Sequence, residues 1–339
     1  MLIFLSPNIA KTTVAMNKLE HLKSQLKIPV IGAPLFLVSG PELVIAQCKS
    51  GIVGSFPALN ARPQNVLDEW IARIKDELAE AKEAESEKRI APFAVNQICH
   101  GSNDRLFGDM EICVKHEVPI IITSLRPPEE IVQAAHSYGG MVFHDVINVR
   151  HAKKAAEQGV DGLILVCSGA GGHAGTLSPF ALVREVKEWF DGAIILSGAI
   201  SSGSAVASSL ALGSDFAYIG TRFIATEEAN AEEGYKQMLI ESAANDIVYS
   251  SLFTGVHGNY LKGSIEKAGL DPQNLPDADK STMNFGSGGN TESKAWKDIW
   301  GSGQGTGSIK DAPSVAKLVD NLTAEFEEAV QDLNQKSKI

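Results

Sequence analysis

The sequence predicts a TIM (β/α)8 barrel with a smaller, mainly helical and loop insertion after the eighth strand. Short apolar runs alternate with helix-like stretches, as in a parallel sheet, and there are eight of them, the number that closes this barrel. Residues 120–122 and 194–196 are apolar throughout, as in strands covered on both faces. These observations disfavour the alternative, a doubly wound open sheet. The predicted strands are Pro29–Ala33, Gly51–Phe56, Pro92–Gln97, Pro119–Ser124, Gly140–Asp145, Gly162–Cys167, Ala193–Gly198 and Phe216–Thr221.

The segments between and after these runs complete the predicted domain organisation. In Arg62–Lys88, apolar residues recur every four positions among charges, which predicts an amphipathic helix outside the barrel. After the eighth strand the alternation stops, and we interpret residues 225–307 as a small insertion or lid domain. A last helix is predicted from about Pro313 to Val330, because its apolar residues again have helical spacing. Residues 1–224 and 308–339 would then form the barrel.

Composition restricts the classes of partner. The chain has 339 residues, 44% of them hydrophobic, and a formal net charge of -11. The size allows a large core, whereas the acidic balance argues against a nucleic-acid or anionic-membrane surface. Any anionic cofactor must therefore be bound by a local group of donors.

Cysteine and histidine spacing predicts no metal site. Cys48, Cys99, Cys113 and Cys167 are scattered without a Cys-x-x-Cys pair, so neither a disulfide framework nor a zinc site is indicated. His100, His151 and His257 likewise lack ligand spacing. The first ten residues lack the features of a signal peptide, and no apolar run approaches the roughly 18 residues of a membrane span. We expect a soluble cytoplasmic protein.

Glycine-rich loops follow three consecutive predicted strands. They are residues 169–175, 197–200 and 220–222, at the strand ends where barrel active sites form. Glycine permits positive φ and lets backbone N–H groups approach a phosphate or a flat ring. Ser201 or Ser202 could cap a helix over Ala205–Leu212, whose N-terminal dipole would also favour a phosphate. Tight strand-to-helix turns are the alternative explanation for any one of these glycines.

His173 is the candidate catalytic residue. Small residues flank it on both sides, so we expect its imidazole over an open surface with an ordinary pKa of about 6.5, suited to proton transfer. A histidine that is merely hydrogen-bonded in a loop is the alternative. His144 and Asp145, at the end of the fifth strand, are expected at the same mouth, either lining the pocket or anchoring a loop. Cys167 ends a buried strand without an evident base, which favours core packing over nucleophilic catalysis.

Several of these motifs occur together in one known family. The chain has Gly-Gly-His-x-Gly at 171–175, Ser-Gly-Ala-Ile at 197–200, Leu-Ala-Leu-Gly at 210–213 and Ile-Gly-Thr-Arg-Phe at 219–223. Together they resemble nitronate monooxygenases, formerly called 2-nitropropane dioxygenases. The resemblance extends from Pro29 through 93–96 to the Trp-Gly-Ser-Gly-Gln-Gly stretch at 300–305, and so covers most of the chain.

The resemblance implies a TIM barrel that binds FMN non-covalently and oxidises alkyl nitronates with O2 to a carbonyl compound and nitrite. His173 matches the family's base, which would remove the α-proton of a neutral nitroalkane or stabilise the anionic nitronate. The chain departs from many members at Ala199, where they have glycine, and from some at Val166 and Asp145, where they have glutamine and lysine. The implied flavin contacts are Ala33, Pro34, Asn96, Gly171, Gly172, Gly198, Ala199, Tyr218, Ile219, Gly220 and Thr221.

Two other functions are compatible with the same residues. The barrel and its Gly-Gly-His loop also occur in FMN-dependent enoyl-acyl carrier protein reductases and NADH:quinone reductases, so an NAD(P)H-dependent FMN reductase acting on quinones or enoyl thioesters is one alternative. A flavin-free barrel that binds a phosphate ligand is another, since a fold alone allows many functions. The expected partners are a small-molecule substrate and O2, and the oligomeric state is open, a homo-oligomer included.

Overall fold

The computed structural model describes residues 18–126, 128–278 and 298–338. Eight parallel strands form one sheet in the order β1-β9-β8-β6-β5-β4-β3-β2. A parallel bridge between Ile31 and Val53 joins the first strand to the second and so closes the sheet into the predicted barrel. The strands are β1 (Val30–Gly32), β2 (Gly54–Pro57), β3 (Phe93–Cys99), β4 (Ile120–Leu125), β5 (Met141–Val146), β6 (Gly162–Val166), β8 (Ala193–Ser197) and β9 (Phe216–Ile219).

Helices connect successive strands and surround the barrel. The predicted helix Arg62–Lys88 is present but shorter at both ends, over Asn65–Ala84, and buries Leu67, Ile71, Ile74 and Leu78. The last helix follows the predicted spacing and runs over Val315–Lys336. The other barrel helices are Pro41–Lys49, Leu106–Lys115, Glu129–Ser137, Val149–Glu157, Pro179–Lys187, Gly203–Leu212 and Thr221–Ile224, with a further helical stretch at 18–24.

Side chains alternate across each strand between the barrel interior and the surrounding helices, because successive residues of a strand point to opposite faces. The interior layer contains Ile31, Ala94, Ile122, Phe143, Ile164 and Phe216. Residues between them on the same strands, such as Val95, Leu163 and Leu196, pack against the outer helices. Near the carboxyl ends of the strands the interior positions become polar, which locates the mouth of the barrel.

The segment after β9 contains a second, three-stranded sheet. Helix Glu233–Glu241 is followed by the antiparallel strands β10 (Ile247–Ser250) and β11 (Gly258–Leu261). Strand β11 also pairs with β7 (Gly172–His173), which lies in the loop after β6. Our interpretation of this segment as helices and loops did not anticipate the hairpin. The glycine-rich stretch at 285–290 lies outside the described residues.

The three described ranges contain no helix that is long and apolar enough to cross a membrane. All four cysteines are free and buried, and burial raises the pKa of the Cys167 thiol to about 12. Cys167 belongs to the core between the barrel and its helices, in agreement with the expectation that it packs in the core.

Candidate functional site

A cavity of about 790 Å³ opens at the carboxyl ends of the barrel strands. Its wall includes the three glycine-rich loops, and its far side is formed by residues 252–256 and 299–301 of the segment after β9. Of the residues predicted to contact a cofactor, Ile219 alone is not among the lining residues; it is fully buried on the outer side of β9, among Val30, Val206 and Phe223. The remaining predicted residues line the cavity: Ala33, Pro34, Asn96, Gly171, Gly172, His173, Gly198, Ala199, Tyr218, Gly220 and Thr221.

A chain of hydrogen bonds crosses the floor of this cavity. The Asn96 amide donates to Ser124 Oγ at 3.0 Å and to the Ile122 carbonyl at 3.3 Å. The Ser124 hydroxyl in turn donates to Asp145 Oδ2 at 2.7 Å. Because both amide hydrogens of Asn96 are used in this way, its carbonyl oxygen is the group left to accept a hydrogen bond from a ligand. Ser124 was not predicted as a site residue.

The glycine-rich loops present backbone donors to the cavity. Gly198 and Ala199 have φ values of 141° and 54°, and a Cβ at Gly198 would lie 2.8 Å from the Ser168 carbonyl oxygen. The N–H groups of Gly198, Gly220 and Thr221 donate to no acceptor in the described part of the chain. Unpaired backbone donors beside open space suit an anionic group such as a phosphate.

Contrary to expectation, the helix after β8 does not contribute its N-terminus to the cavity. Helix Gly203–Leu212 is capped by Ser202, which accepts from Ala205 N. The Gly203 N–H donates at 2.7 Å to a carboxylate oxygen of Glu325, in the last helix. An anion of the protein already occupies this helix terminus, so the prediction of a phosphate there was wrong. The backbone N–H groups of Gly198, Gly220 and Thr221 still have no acceptor among the described residues.

His173 lies on β7 and is held by the segment after β9. Its Nε2 is 3.0 Å from Thr254 Oγ1. The Thr254 hydroxyl donates to the Val256 carbonyl at 2.9 Å and accepts from Val256 N at 3.2 Å. Since a hydroxyl has one hydrogen to donate, Thr254 accepts from His173, which assigns the proton of the neutral ring to Nε2 and makes Nδ1 the basic nitrogen. Thr254 was also not predicted.

Two expectations about histidines were wrong. His173 is half-buried rather than standing over an open surface, and desolvation lowers its pKa to about 4 instead of leaving it near 6.5. His144 points away from the mouth, to the layer between the barrel and its helices, where its Nδ1 lies 2.8 Å from Thr123 Oγ1. Its neighbour Asp145 faces the cavity, as adjacent residues of a strand must point oppositely.

The rim of the cavity is apolar, partly exposed and locally strained. Phe36, Leu37, Leu125 and Ile147 are each between 36% and 41% exposed. Leu37 and Leu125 have φ values of 62° and 79°, in a left-handed region that is unfavourable for leucine. Asn60 Oδ1 accepts from Leu37 N at 3.0 Å, and the Arg62 guanidinium lies 5.5 Å from the Phe36 ring centre. Large apolar side chains exposed at one opening are typical of a binding site.

Comparison with known proteins decides the family. The family model described as nitronate monooxygenase matches residues 20–325. The chain belongs to the nitronate monooxygenase family. A nitronate monooxygenase of Paraburkholderia phytofirmans is 25% identical over 91% of this chain and 94% of its own. A hydroxy-methyl-oxo-octahydroindene carboxyl-CoA dehydrogenase of Rhodococcus jostii is 24% identical over 71% of this chain and 65% of its own.

A solved structure of the same fold is a nitroalkane oxidase from Streptomyces ansochromogenes, with a TM-score of 0.76 at 21% identity, covering 92% of this chain and 99% of the other. Membership of the nitronate monooxygenase family makes this chain a flavin-dependent oxidoreductase. The residues at the cavity fit such a cofactor, because unpaired backbone donors face the space beside the β8 and β9 loops and an amide acceptor lies on the floor. The mouth would bind a flavin through these groups.

Proposed function

We propose that this enzyme binds FMN in the cavity at the barrel mouth and oxidises alkyl nitronates with O2 to a carbonyl compound and nitrite. The observation that carries the proposal is His173, which lines this cavity with a neutral ring and a defined tautomer. When bound, the flavin supplies the electron-accepting chemistry. The protein supplies binding, orientation and a proton acceptor.

The FMN phosphate is assigned to the loops after β8 and β9. The backbone N–H groups of Gly198, Gly220 and Thr221 have no described acceptor, and they would meet the phosphate oxygens. The net charge of -11 makes such local donors necessary. Asn96 would accept a hydrogen bond from the ring N–H of the flavin. Backbone donors of this kind suit a phosphate group such as that of FMN.

His173 would act as the base for neutral nitroalkanes. A pKa of about 4 keeps the imidazole neutral at physiological pH, so Nδ1 can accept the α-proton without first losing one. The imidazolium formed would be favoured beside the nitronate anion, since opposite charges at short range raise the pKa of a base. A preformed nitronate needs no proton removal, so this step applies to the neutral substrate alone.

The test is nitrite release by the purified, FMN-loaded protein from propionate-3-nitronate and from alkyl nitronates. We expect aerobic turnover with both, and His173→Asn should retain FMN but lose at least about a hundredfold in kcat/KM on neutral nitroalkanes, with a smaller loss on nitronates. His257→Asn, which changes a histidine that does not line the cavity, is the matched control. FMN binding without nitrite release would overturn the proposal, and a colourless protein would favour a flavin-free barrel.

The exposed apolar rim favours a second candidate, a flavin enzyme acting on a larger thioester substrate with a nicotinamide as electron donor. A cavity of about 790 Å³ is near the upper end of ordinary ligand sites. The Rhodococcus jostii relative is named for a carboxyl-CoA substrate with a hydroxy-methyl-oxo-octahydroindene ring system. Anaerobic mixing separates the candidates, because rapid bleaching of the flavin by NADH or NADPH would support the reductase, whereas bleaching by a nitronate alone would support nitronate oxidation.

A further inference from the structure

The floor of the cavity contains a carboxyl group that the proposed reaction does not use. Asp145, on β5, lines the cavity. Its Oδ2 accepts one hydrogen bond, from the Ser124 hydroxyl at 2.7 Å. Its Oδ1 is buried and has no hydrogen-bond partner among the described residues. An ionised carboxylate offers about four acceptor sites, so most acceptor sites of an ionised Asp145 would lack a hydrogen bond.

The surrounding side chains do not compensate a negative charge at this position. The titratable or charged groups that share the cavity wall are Tyr218 on β9, His173 on β7, Tyr235, His151 and Arg62. None of these forms a salt bridge with Asp145 in the described part of the chain, and the Tyr218 hydroxyl is itself buried without a described partner. Burial raises the Asp145 pKa to about 7, against the lowering effect of the Ser124 hydrogen bond.

A neutral carboxyl at this place has a proton to donate to a ligand. Asn96, two hydrogen bonds away through Ser124, leaves its amide oxygen as an acceptor. The floor therefore combines one donor, Asp145, with one acceptor, Asn96. The pyrimidine edge of a flavin has the complementary groups, two carbonyl oxygens and one ring N–H, so that both side chains can be satisfied by one bound ring.

We propose that protonated Asp145 is a hydrogen-bond donor to the bound flavin, and that ionisation of this carboxyl weakens flavin binding. The inference rests on the proposed flavin site and is independent of whether nitronates are the substrate. By linkage, a ligand that prefers the protonated form binds up to tenfold more weakly for each pH unit above the pKa of the free protein.

The experiment measures the dissociation constant of the flavin for the flavin-free full-length protein from about pH 5.5 to about pH 9. FMN and riboflavin are both titrated by fluorescence quenching, because the phosphate of FMN itself ionises near pH 6 and riboflavin lacks it. We expect the constant for the wild-type protein to rise by at least about tenfold between pH 7 and pH 9. Asp145→Asn, which keeps the shape and an acceptor for Ser124, should vary less than about threefold over this range.

Two further variants test whether the pH dependence of flavin binding comes specifically from Asp145. Asp191→Asn removes an exposed carboxylate and should retain the wild-type pH profile. Ser124→Ala removes the hydroxyl that favours the ionised form and should move the profile to higher pH, which keeps the test informative if Asp145→Asn does not fold. A flat wild-type profile, or an identical profile in Asp145→Asn, would overturn the proposal. Failure to release nitrite, with the flavin profile as expected, would overturn only the nitronate function.

Discussion

At the scale of single residues, the Thr254 hydroxyl determines which nitrogen of His173 is basic. Because it donates to the Val256 carbonyl, it accepts from Nε2, so the proton of the neutral ring lies on Nε2 and Nδ1 is the basic nitrogen. We predict that Thr254→Val, which removes the acceptor, lowers kcat on neutral nitroalkanes by about tenfold to a hundredfold, since the ring loses its orientation and tautomer. KM should change little, because Thr254 is not expected to bind the substrate.

The control for this prediction is Thr254→Ser, which keeps the hydroxyl and should restore most of the activity. The ¹⁵N chemical shifts of the His173 ring report its tautomer directly, and they should show protonated Nε2 in the wild-type protein and in the serine variant. A valine variant with unchanged shifts and unchanged kcat would show that the contact is only structural.

Sequence reasoning was least complete for the individual residues of the site. The position of His173 could be predicted, because a glycine-rich loop after a barrel strand lies at the mouth. Its pKa could not, because desolvation depends on residues distant in sequence that surround it after folding. Thr254 is 81 positions away along the chain, and no local pattern indicates that its hydroxyl meets the imidazole. Ser124 and Asp145 likewise gain their roles only through neighbouring strands.

At the scale of elements, strand β7 links the proposed base to the segment after β9. Gly258 of β11 pairs with His173, and a Cβ at Gly258 would lie 2.8 Å from the Gly172 carbonyl oxygen. We predict that Gly258→Ala separates the two strands and reduces turnover of neutral nitroalkanes at least about tenfold, while circular dichroism shows an intact barrel. Gly263→Ala is the matched control, because its Cβ would meet only the flexible Met238 side chain. Equal activity in both variants would contradict the role of this pairing.

The last helix is held against the barrel by a second close approach. A Cβ at Gly203 would lie 2.1 Å from the Leu322 carbonyl oxygen and 2.4 Å from Phe326 N. We expect Gly203→Ala to lower the free energy of unfolding by about 3 kcal/mol, the upper end for overpacking, because backbone atoms cannot move aside as a side chain can. Urea denaturation measures this, with Gly234→Ala, which has Trp300 at 3.5 Å as its nearest neighbour, expected within about 1 kcal/mol of wild type.

The elements themselves were predicted to different degrees. All eight barrel strands and the long helices follow from apolar periodicity, because burial on both faces or on one stripe imposes a regular pattern. Strand β7 is the two-residue sequence Gly-His, and β11 begins with Gly-Asn, so neither shows the continuous apolar run by which the barrel strands were recognised. Their pairing is specified by contacts between distant segments, so the sheet that holds His173 could not be read from local sequence.

At the scale of the whole molecule, the acidic composition and the mouth of the barrel have opposite effects on the binding of anionic ligands. A net charge of -11 disfavours anionic ligands in general, yet the mouth offers backbone donors, a neutral histidine and a carboxyl whose pKa burial raises to about 7. Closing eight strands into a barrel creates this environment, because it brings the carboxyl ends of all strands around one cavity. Counting strands predicted the closure, whereas the burial of Asp145 on the floor could be recognised only in the packed structure.

The last prediction concerns the pH dependence of folding in the flavin-free protein. The Asp145 pKa is about 7 in the folded state and about 3.9 in the unfolded chain, so the folded state binds this proton more tightly. The stability from this carboxyl is therefore full below about pH 4 and is lost as the pH rises through 7. Between these values we expect the free energy of unfolding of the wild-type protein to fall relative to Asp145→Asn by about 3 kcal/mol, measured by urea denaturation at each pH. Carboxylates with lowered pKa values, such as Glu42 and Glu77, act in the opposite direction but are common to both proteins and cancel in the difference. A constant difference across the range would show that Asp145 is already ionised at pH 4.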